Sequence, residues 1–242
     1  MCTVSFIARK RGYLLGMNRD ERLSRVPGRP PQRRGLDGRT VLGPSEPGGG
    51  TWIAANDSGA TLALINWYAI ARRVQSKAVS RGEVVNAVGA AGLAEAAAAA
   101  LARLPCHRIN PFRLIGIFPE TGEVTEWRWN LRRLVRRDHR WESQQWISSG
   151  FDEPEAQRVR SATFTRACGQ SSFGDRAWLR RLHRSHVPQA GPFSTCMHRS
   201  DAATVSYTEV AVSARSVRMW HLAGPPCESV EATSISCARR IA

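Results

Sequence analysis

Lysine is almost missing from this 242-residue chain: Lys10 and Lys77 are the only two, although Lys and Arg together number 35. The formal charge of +15 is therefore an arginine excess. A charge of that size raises the question of a nucleic-acid or membrane-surface partner. Here it accompanies a long alanine stretch around residues 94–102, and the two together read as biased residue usage, which adds surface arginine without building a binding face. Nucleic acid is accordingly not expected as a partner. Long apolar runs are also absent. None approaches the roughly 18–20 residues that cross a bilayer. The first residues lack a signal-peptide pattern, because Arg9, Lys10 and Arg11 follow only a short apolar stretch and Asp20 and Glu21 come soon after. The expected location is the cytoplasm. Among the six cysteines (Cys2, Cys106, Cys168, Cys196, Cys227 and Cys237) no C-x-x-C pair occurs, so neither a disulfide framework nor a structural zinc site of the usual spacing is expected. No metal and no cofactor is assigned. Nucleophile-elbow, P-loop and dinucleotide signatures are missing too.

What remains is a hydrophobic fraction of 42% and a length that suits one large domain over residues 1–242. Cys2–Ala8 is short, apolar and β-branched, and Tyr13–Asn18 repeats that character after a polar turn ending at Gly12, so the chain is expected to begin in a hairpin. Residues 22–50, rich in Arg, Pro and Gly, show no period and read as a long surface loop of the kind that walls a pocket. A second hairpin is expected over 51–56 and 60–66, and a third over 111–118 and 123–130. Ser80 and Glu83 have capping-box spacing ahead of one helix reaching Leu104. A strand at 145–149, helices over 153–168 and 175–186 (the latter capped by Asp175), and strands over 203–212, 217–222 and 230–237 complete the reading. Strands lead, helices intervene and strands close the chain, which implies an α+β sandwich of sheets with outer helices.

Two features carry chemistry. Removal of Met1 from a Met-Cys start would leave Cys2 with a thiol and a free α-amine on one residue, with ordinary pKa values of about 8.5 and about 7.7–8.0. Such an amine can serve as general base for its own side chain. A strand starting at residue 2 would hold it still, whereas free termini fray. The second feature is Asn18-Arg19-Asp20-Glu21, which a tight hairpin returns to the start of the first strand. There Asp20 can orient the amine, and Arg19 can favour the thiolate.

Met1-Cys2-Thr3-Val4-Ser5-Phe6 followed by Asn18-Arg19-Asp20-Glu21 resembles the NRDE, or transport and Golgi organisation, family. Gly49-Gly50-Thr51-Trp52, the strand ending Leu64-Ile65-Asn66, Ser80-Arg81-Gly82, Trp146-Ile147-Ser148-Ser149-Gly150 and His198-Arg199-Ser200-Asp201 look like its further blocks, in the same order. That family is similar to N-terminal-nucleophile hydrolases of the choloylglycine hydrolase and penicillin acylase type. The resemblance implies a four-layer αββα fold and an active site at Cys2, Asn18, Arg19, Asp20 and Asn66. Cys2 would attack a carbonyl, Asp20 would meet the nucleophile end, Asn66 would help to form an oxyanion hole, and Arg199 would bind substrate. Two positions depart from the choloylglycine pattern: Met17 stands where those enzymes carry an arginine, and Ser148-Ser149 where they carry an asparagine. The function implied is a cysteine amidohydrolase or acyltransferase acting on a small amide or thioester. The alternative is a non-catalytic lipid- or haem-handling or trafficking protein on the same fold.

Other signals are given simpler explanations. His183 and His186 at i, i+3, with Cys196 and His198 nearby, have metal-like spacing, but helical histidines are mostly surface residues. Pro105-Cys106 and Pro226-Cys227 have the reverse of the Cys-Pro order of regulatory haem contacts. Arg132, Arg133, Arg136, Arg137 and Arg140 among Trp127, Trp129, Trp141 and Trp146 read as a solvated edge over core tryptophans.

Overall fold

A computed structural model describes residues 2–240. The Met1 expectation lies outside the described residues. The chain does begin in a hairpin: β1 (Cys2–Ala8) and β2 (Tyr13–Arg22) pair antiparallel, with Cys2 opposite Arg19. β1 also pairs with β10 (Gln144–Ser148), placing Ser148 opposite Cys2 on the other side. β11 (Ala202–Val212), β12 (Ser216–Ala223) and β13 (Thr233–Ala238) complete a six-stranded sheet in the order β10-β1-β2-β11-β12-β13. The second sheet runs β3-β4-β5-β6-β7-β8-β9, from β3 (Arg29–Leu36), β4 (Arg39–Ser45), β5 (Ile53–Asn56), β6 (Thr61–Asn66), β7 (Phe112–Phe118) and β8 (Glu123–Trp129) to β9 (Leu134–His139).

Side-chain alternation along these strands makes the layers. Val4, Phe6, Leu15 and Met17 face inward against Ile53, Ala63, Ile65, Ile115 and Ile117 of the other sheet. On its outer face the first sheet offers Ile7 and Leu14 to Phe164 of α3 (Glu153–Cys168) and to Trp178, Leu179 and Leu182 of α4 (Arg176–His183). The second sheet covers its outer face with Val84, Val85 and Val88 of α1 (Gly82–Val88) and the alanines of α2 (Ala94–Ala102). Three buried clusters thus separate four layers, helix–sheet–sheet–helix. Among the described residues no helix is long and apolar enough to cross a membrane.

Two expectations needed correction. Residues 22–50 are not one loop: β2 runs to Arg22, and β3 and β4 form a hairpin across Asp37-Gly38, whose φ values of 48° and 75° suit a tight two-residue turn. β3 is an edge strand, where Pro30 and Pro31 leave no interior ladder bond unmade. The helix over 80–104 is two helices. Gly89 and Gly92 interrupt it, and Asn56 Nδ2 donates to the carbonyls of Gly89 (3.0 Å) and Ala91 (2.9 Å) in the gap. Ser80 does not form the expected box; its Oγ accepts from Gly82 N at 3.2 Å instead. Asp175 caps α4 as expected, accepting from Trp178 N at 2.5 Å.

Candidate functional site

Cys2 is the first residue of β1 and lies on the wall of a cavity of about 350 Å³ lined by residues of both sheets. β2 supplies Arg19, Asp20 and Glu21; β6 supplies Asn66; the stretch before β5 supplies Thr51 and Trp52; and the segment entering α1 supplies Ser80, Arg81 and Gly82. Two separate sequence blocks meet here by close backbone approach. A Cβ on Gly82 would lie 2.7 Å from Gly50 Cα, so only glycine lets the 49–52 and 80–82 stretches touch. Thr51 N donates to Gly82 O across that contact, at 3.3 Å. A volume of this size suits a small molecule.

The charges around Cys2 are largely spoken for. Arg19 is buried, donates to Glu46 at 2.8 Å, lies 3.5 Å from Glu21, and stacks 4.5 Å above the Trp52 ring. Arg25 closes the network by pairing with both Glu21 and Glu46. Burial pushes the Cys2 thiol above its ordinary value, and Asp20 adds to this. Arg19 and the backbone N–H of Asp20 pull the other way without overcoming it. The thiolate-favouring effect expected of Arg19 is therefore present but outweighed, because removing a thiolate from water costs more than one already-paired guanidinium returns.

Asp20 divides its two ends. Its backbone faces Cys2, while its carboxylate sits under α3, paired with Arg160 at 3.2 Å and accepting from Thr204 Oγ1 at 2.7 Å. Arg160 is itself fully buried and donates to Thr3 Oγ1 at 2.7 Å and to the Pro192 carbonyl at 3.2 Å. The register of β11 against β2 slips between Thr204 and Ser206, a bulge beside Asp20 of the sort that re-aims side chains next to a site. Asn66 reaches the cavity and donates from Nδ2 to Tyr68 Oη at 2.8 Å.

The structure does not bring Asn18 or Arg199 to this cavity. Strand alternation turns Asn18 to the outer face, where its Nδ2 donates to the carbonyls of His183 (2.9 Å) and Thr195 (2.8 Å). Arg199 pairs with Asp201 at 2.8 Å and stacks on Phe151, away from Cys2. In the arginine–tryptophan stretch, Trp127, Trp129 and Trp146 are core residues, and Arg136 is paired with Glu95, Glu123 and Asp138.

Two residues near Cys2 belong to sequence blocks that gave no sign of what they do at the site. Arg81 lines the cavity and makes one long hydrogen bond, to Pro111 O at 3.5 Å, and among the described residues no carboxylate pairs with it. Burial lowers its pKa, and the negative ends of Tyr68, Cys2 and Glu21 only partly offset this. Ser148, cross-strand from Cys2 on the same face, has a buried Oγ with no hydrogen-bond partner among the described residues. Arg81 was visible only as a helix-start residue, and an orphaned hydroxyl leaves no mark in a sequence. Away from the cavity, the side chains of His186, Cys196, His198 and Cys227 converge, with their ligand atoms within 4.8 Å of one another.

Comparison with solved structures places this fold among those of N-terminal-nucleophile hydrolases. A conjugated bile acid hydrolase from Clostridium perfringens, solved as a cysteine-to-alanine mutant, superposes with a TM-score of 0.61 at 10% identity, covering 97% of this chain and 92% of that one. Penicillin V acylase from Agrobacterium tumefaciens gives 0.59 at 11% identity, covering 97% and 86%. The four-layer arrangement expected from sequence is the shared feature. No curated protein matches the chain in a sequence search. The family model described as Transport and Golgi organisation 2 matches residues 1–126, over half of the chain, and the chain belongs to that family.

Proposed function

We propose that this protein is a cysteine N-terminal-nucleophile amidohydrolase or acyltransferase for a small amide or thioester bearing an anionic group. The observation that carries the reading is the position of Cys2, held by two strands at the wall of a polar cavity that also contains Arg19, Asp20 and Asn66. With Met1 removed, the α-amine of Cys2 takes the thiol proton as sulfur attacks the carbonyl. The same amine then returns the proton to the departing amine or thiol, and water releases the acyl group. A raised thiol pKa is compatible with this route, since the neighbouring base removes the proton during attack and no standing thiolate is needed. The second N–H of Asn66 supplies a donor for the developing oxyanion, and Ser148 Oγ is a further one within the strand pairing. Arg81, which no carboxylate among the described residues pairs with, is suited to an anionic substituent on the substrate.

Two structural relatives are a conjugated bile acid hydrolase and a penicillin V acylase, which supports the reaction class without naming a substrate. The test is to incubate the protein with matched amides and thioesters, with and without a carboxylate, and to read acylated Cys2 by peptide mass. Acylation confined to the carboxylate-bearing compounds and lost in Cys2→Ala is expected. No acylation by any of them counts against the reading.

One observation favours a non-catalytic reading: a second cavity of about 350 Å³, bordered by Leu23, Val26, Pro27, Val205 and Pro225, shares Arg19 with the first. Leu23 and Val26 are exposed there, as in a site for an apolar ligand. Binding of a fatty acid unchanged by Cys2→Ala, with no turnover of amides, would favour it.

A further inference from the structure

We infer that His186, Cys196, His198 and Cys227 form a structural zinc site, which the absence of any C-x-x-C spacing hides in the sequence. The four ligand atoms lie within 4.8 Å of one another. His186 Nε2 is 3.2 Å from His198 Nε2, Cys227 Sγ is 3.3 Å and Cys196 Sγ 3.6 Å from that same nitrogen, and the two sulfurs are 3.4 Å apart. A tetrahedral zinc with ordinary Zn–N and Zn–S bonds requires about 3.4 Å between nitrogens, about 3.6 Å between nitrogen and sulfur and about 3.8 Å between sulfurs. These four edges match a Cys2His2 shell to within a few tenths of an ångström, and the two from His186 to the sulfurs lie within 4.8 Å. Two imidazoles and two thiols are borderline-soft donors suited to zinc, and hard cations that want carboxylates find none in the set. All four positions are filled by protein, which is the pattern of a structural and not a catalytic zinc. His186 is exposed while Cys196 is buried, so the site sits at the surface with a route in from solvent.

The ligands come from separate parts of the chain. His186 follows α4, Cys196 and His198 lie on the irregular stretch before β11, and Cys227 lies on the turn after β12. That stretch is what stands behind Asp20. The carbonyls of Pro192 and Phe193 accept from Arg160, and that of Thr195 accepts from Asn18. Met197 N donates to Thr204 Oγ1, which donates in turn to Asp20. Zinc would pin both ends of this strap to the β12 turn, in a region with little regular backbone pairing of its own. On binding, the two thiols release their protons to solvent and the histidines bind as neutral imidazoles, with no change of oxidation state.

The experiment is elemental analysis of the full chain purified under reducing conditions without chelator, followed by chelation and back-titration with Zn(II) or Co(II). One zinc per chain is expected, and Co(II) in its place should give the strong visible bands and thiolate charge-transfer absorption of a tetrahedral site. Cys227→Ser and His186→Ala should weaken retention at least 100-fold, while Cys237→Ser should leave it unchanged. Should those variants fold poorly, the wild-type protein decides alone, because its Tm should fall on chelation and recover with added zinc. A reduced, folded protein that takes up neither ion overturns the inference. So does equal retention in wild type and Cys227→Ser, or a Cys196–Cys227 disulfide that persists under reductant.

Discussion

Replacing Arg160 by methionine keeps most of its volume but removes the guanidinium that holds α3 to the nucleophile end of β1 and β2. Arg160 and Asp20 are both completely buried and lie 3.2 Å apart. The same guanidinium bonds Thr3 Oγ1 and the carbonyls of Pro192 and Phe193. Taking one partner from a buried ion pair leaves the other charge desolvated and uncompensated, which costs about 3–5 kcal/mol. That is a large share of the ~5–15 kcal/mol by which domains are stable. Urea unfolding followed by fluorescence of the buried tryptophans measures it. Asp20→Asn and the double variant close a thermodynamic cycle, and because the double variant removes both charges it should be less damaged than the sum of the singles by about 2 kcal/mol or more. A loss below about 1 kcal/mol in Arg160→Met, or strict additivity, would refute the view that this pair locks the site from behind.

Acid should weaken the fold from near-neutral pH. Burial holds His183 neutral, with its pKa down to about 3, and His221 at about 4. Each then binds a proton only in the unfolded chain between its folded value and about 6.5, so stability is complete above that range and falls with pH inside it by up to about 1.4 kcal/mol per pH unit per histidine. A flat urea midpoint between pH 6.5 and 4.5 would contradict this, and His183→Gln should reduce the slope. His183 also exchanges hydrogen bonds with Asn18 Oδ1 and Ser5 Oγ, both at 3.0 Å, so Asn18→Ala should destabilise by roughly 1–3 kcal/mol while leaving Cys2 reactivity nearly intact. Arg81→Gln should raise KM for carboxylate-bearing substrates at least tenfold with a smaller change in kcat; an equal effect on neutral analogues would remove its assigned role. Ser148→Ala should leave stability unchanged or slightly raised, because its hydroxyl is buried without a partner among the described residues, and any fall in kcat with unchanged KM would mark it as an oxyanion donor.

The hairpin that carries Cys2 was readable because β1 and the first half of β2 are apolar and separated by a turn, and because the polar Asn18–Glu21 block follows where β2 passes the start of β1. The β3–β4 hairpin was not, because an exposed edge strand such as Arg-Pro-Pro-Gln-Arg-Arg buries too little to show alternation. Asn18 shows a different limit. Adjacent positions in a motif point to opposite faces of a strand, so Arg19 reaches the cavity while Asn18 supports α4. Arg81 joins the site from the segment entering α1 and Ser148 from β10, and the histidine–cysteine cluster joins three segments whose spacing matches no familiar metal motif.

The measurement that bears most directly on the central claim is the intact mass of the purified protein before and after brief exposure to iodoacetamide at neutral pH, with Cys2→Ala in parallel and the labelled peptide mapped. The account predicts a chain lacking Met1 in which Cys2 is labelled, because its α-amine takes the thiol proton during attack, and in which that label disappears in the variant. A chain that retains Met1 has no α-amine on Cys2 to act as base and would contradict the account.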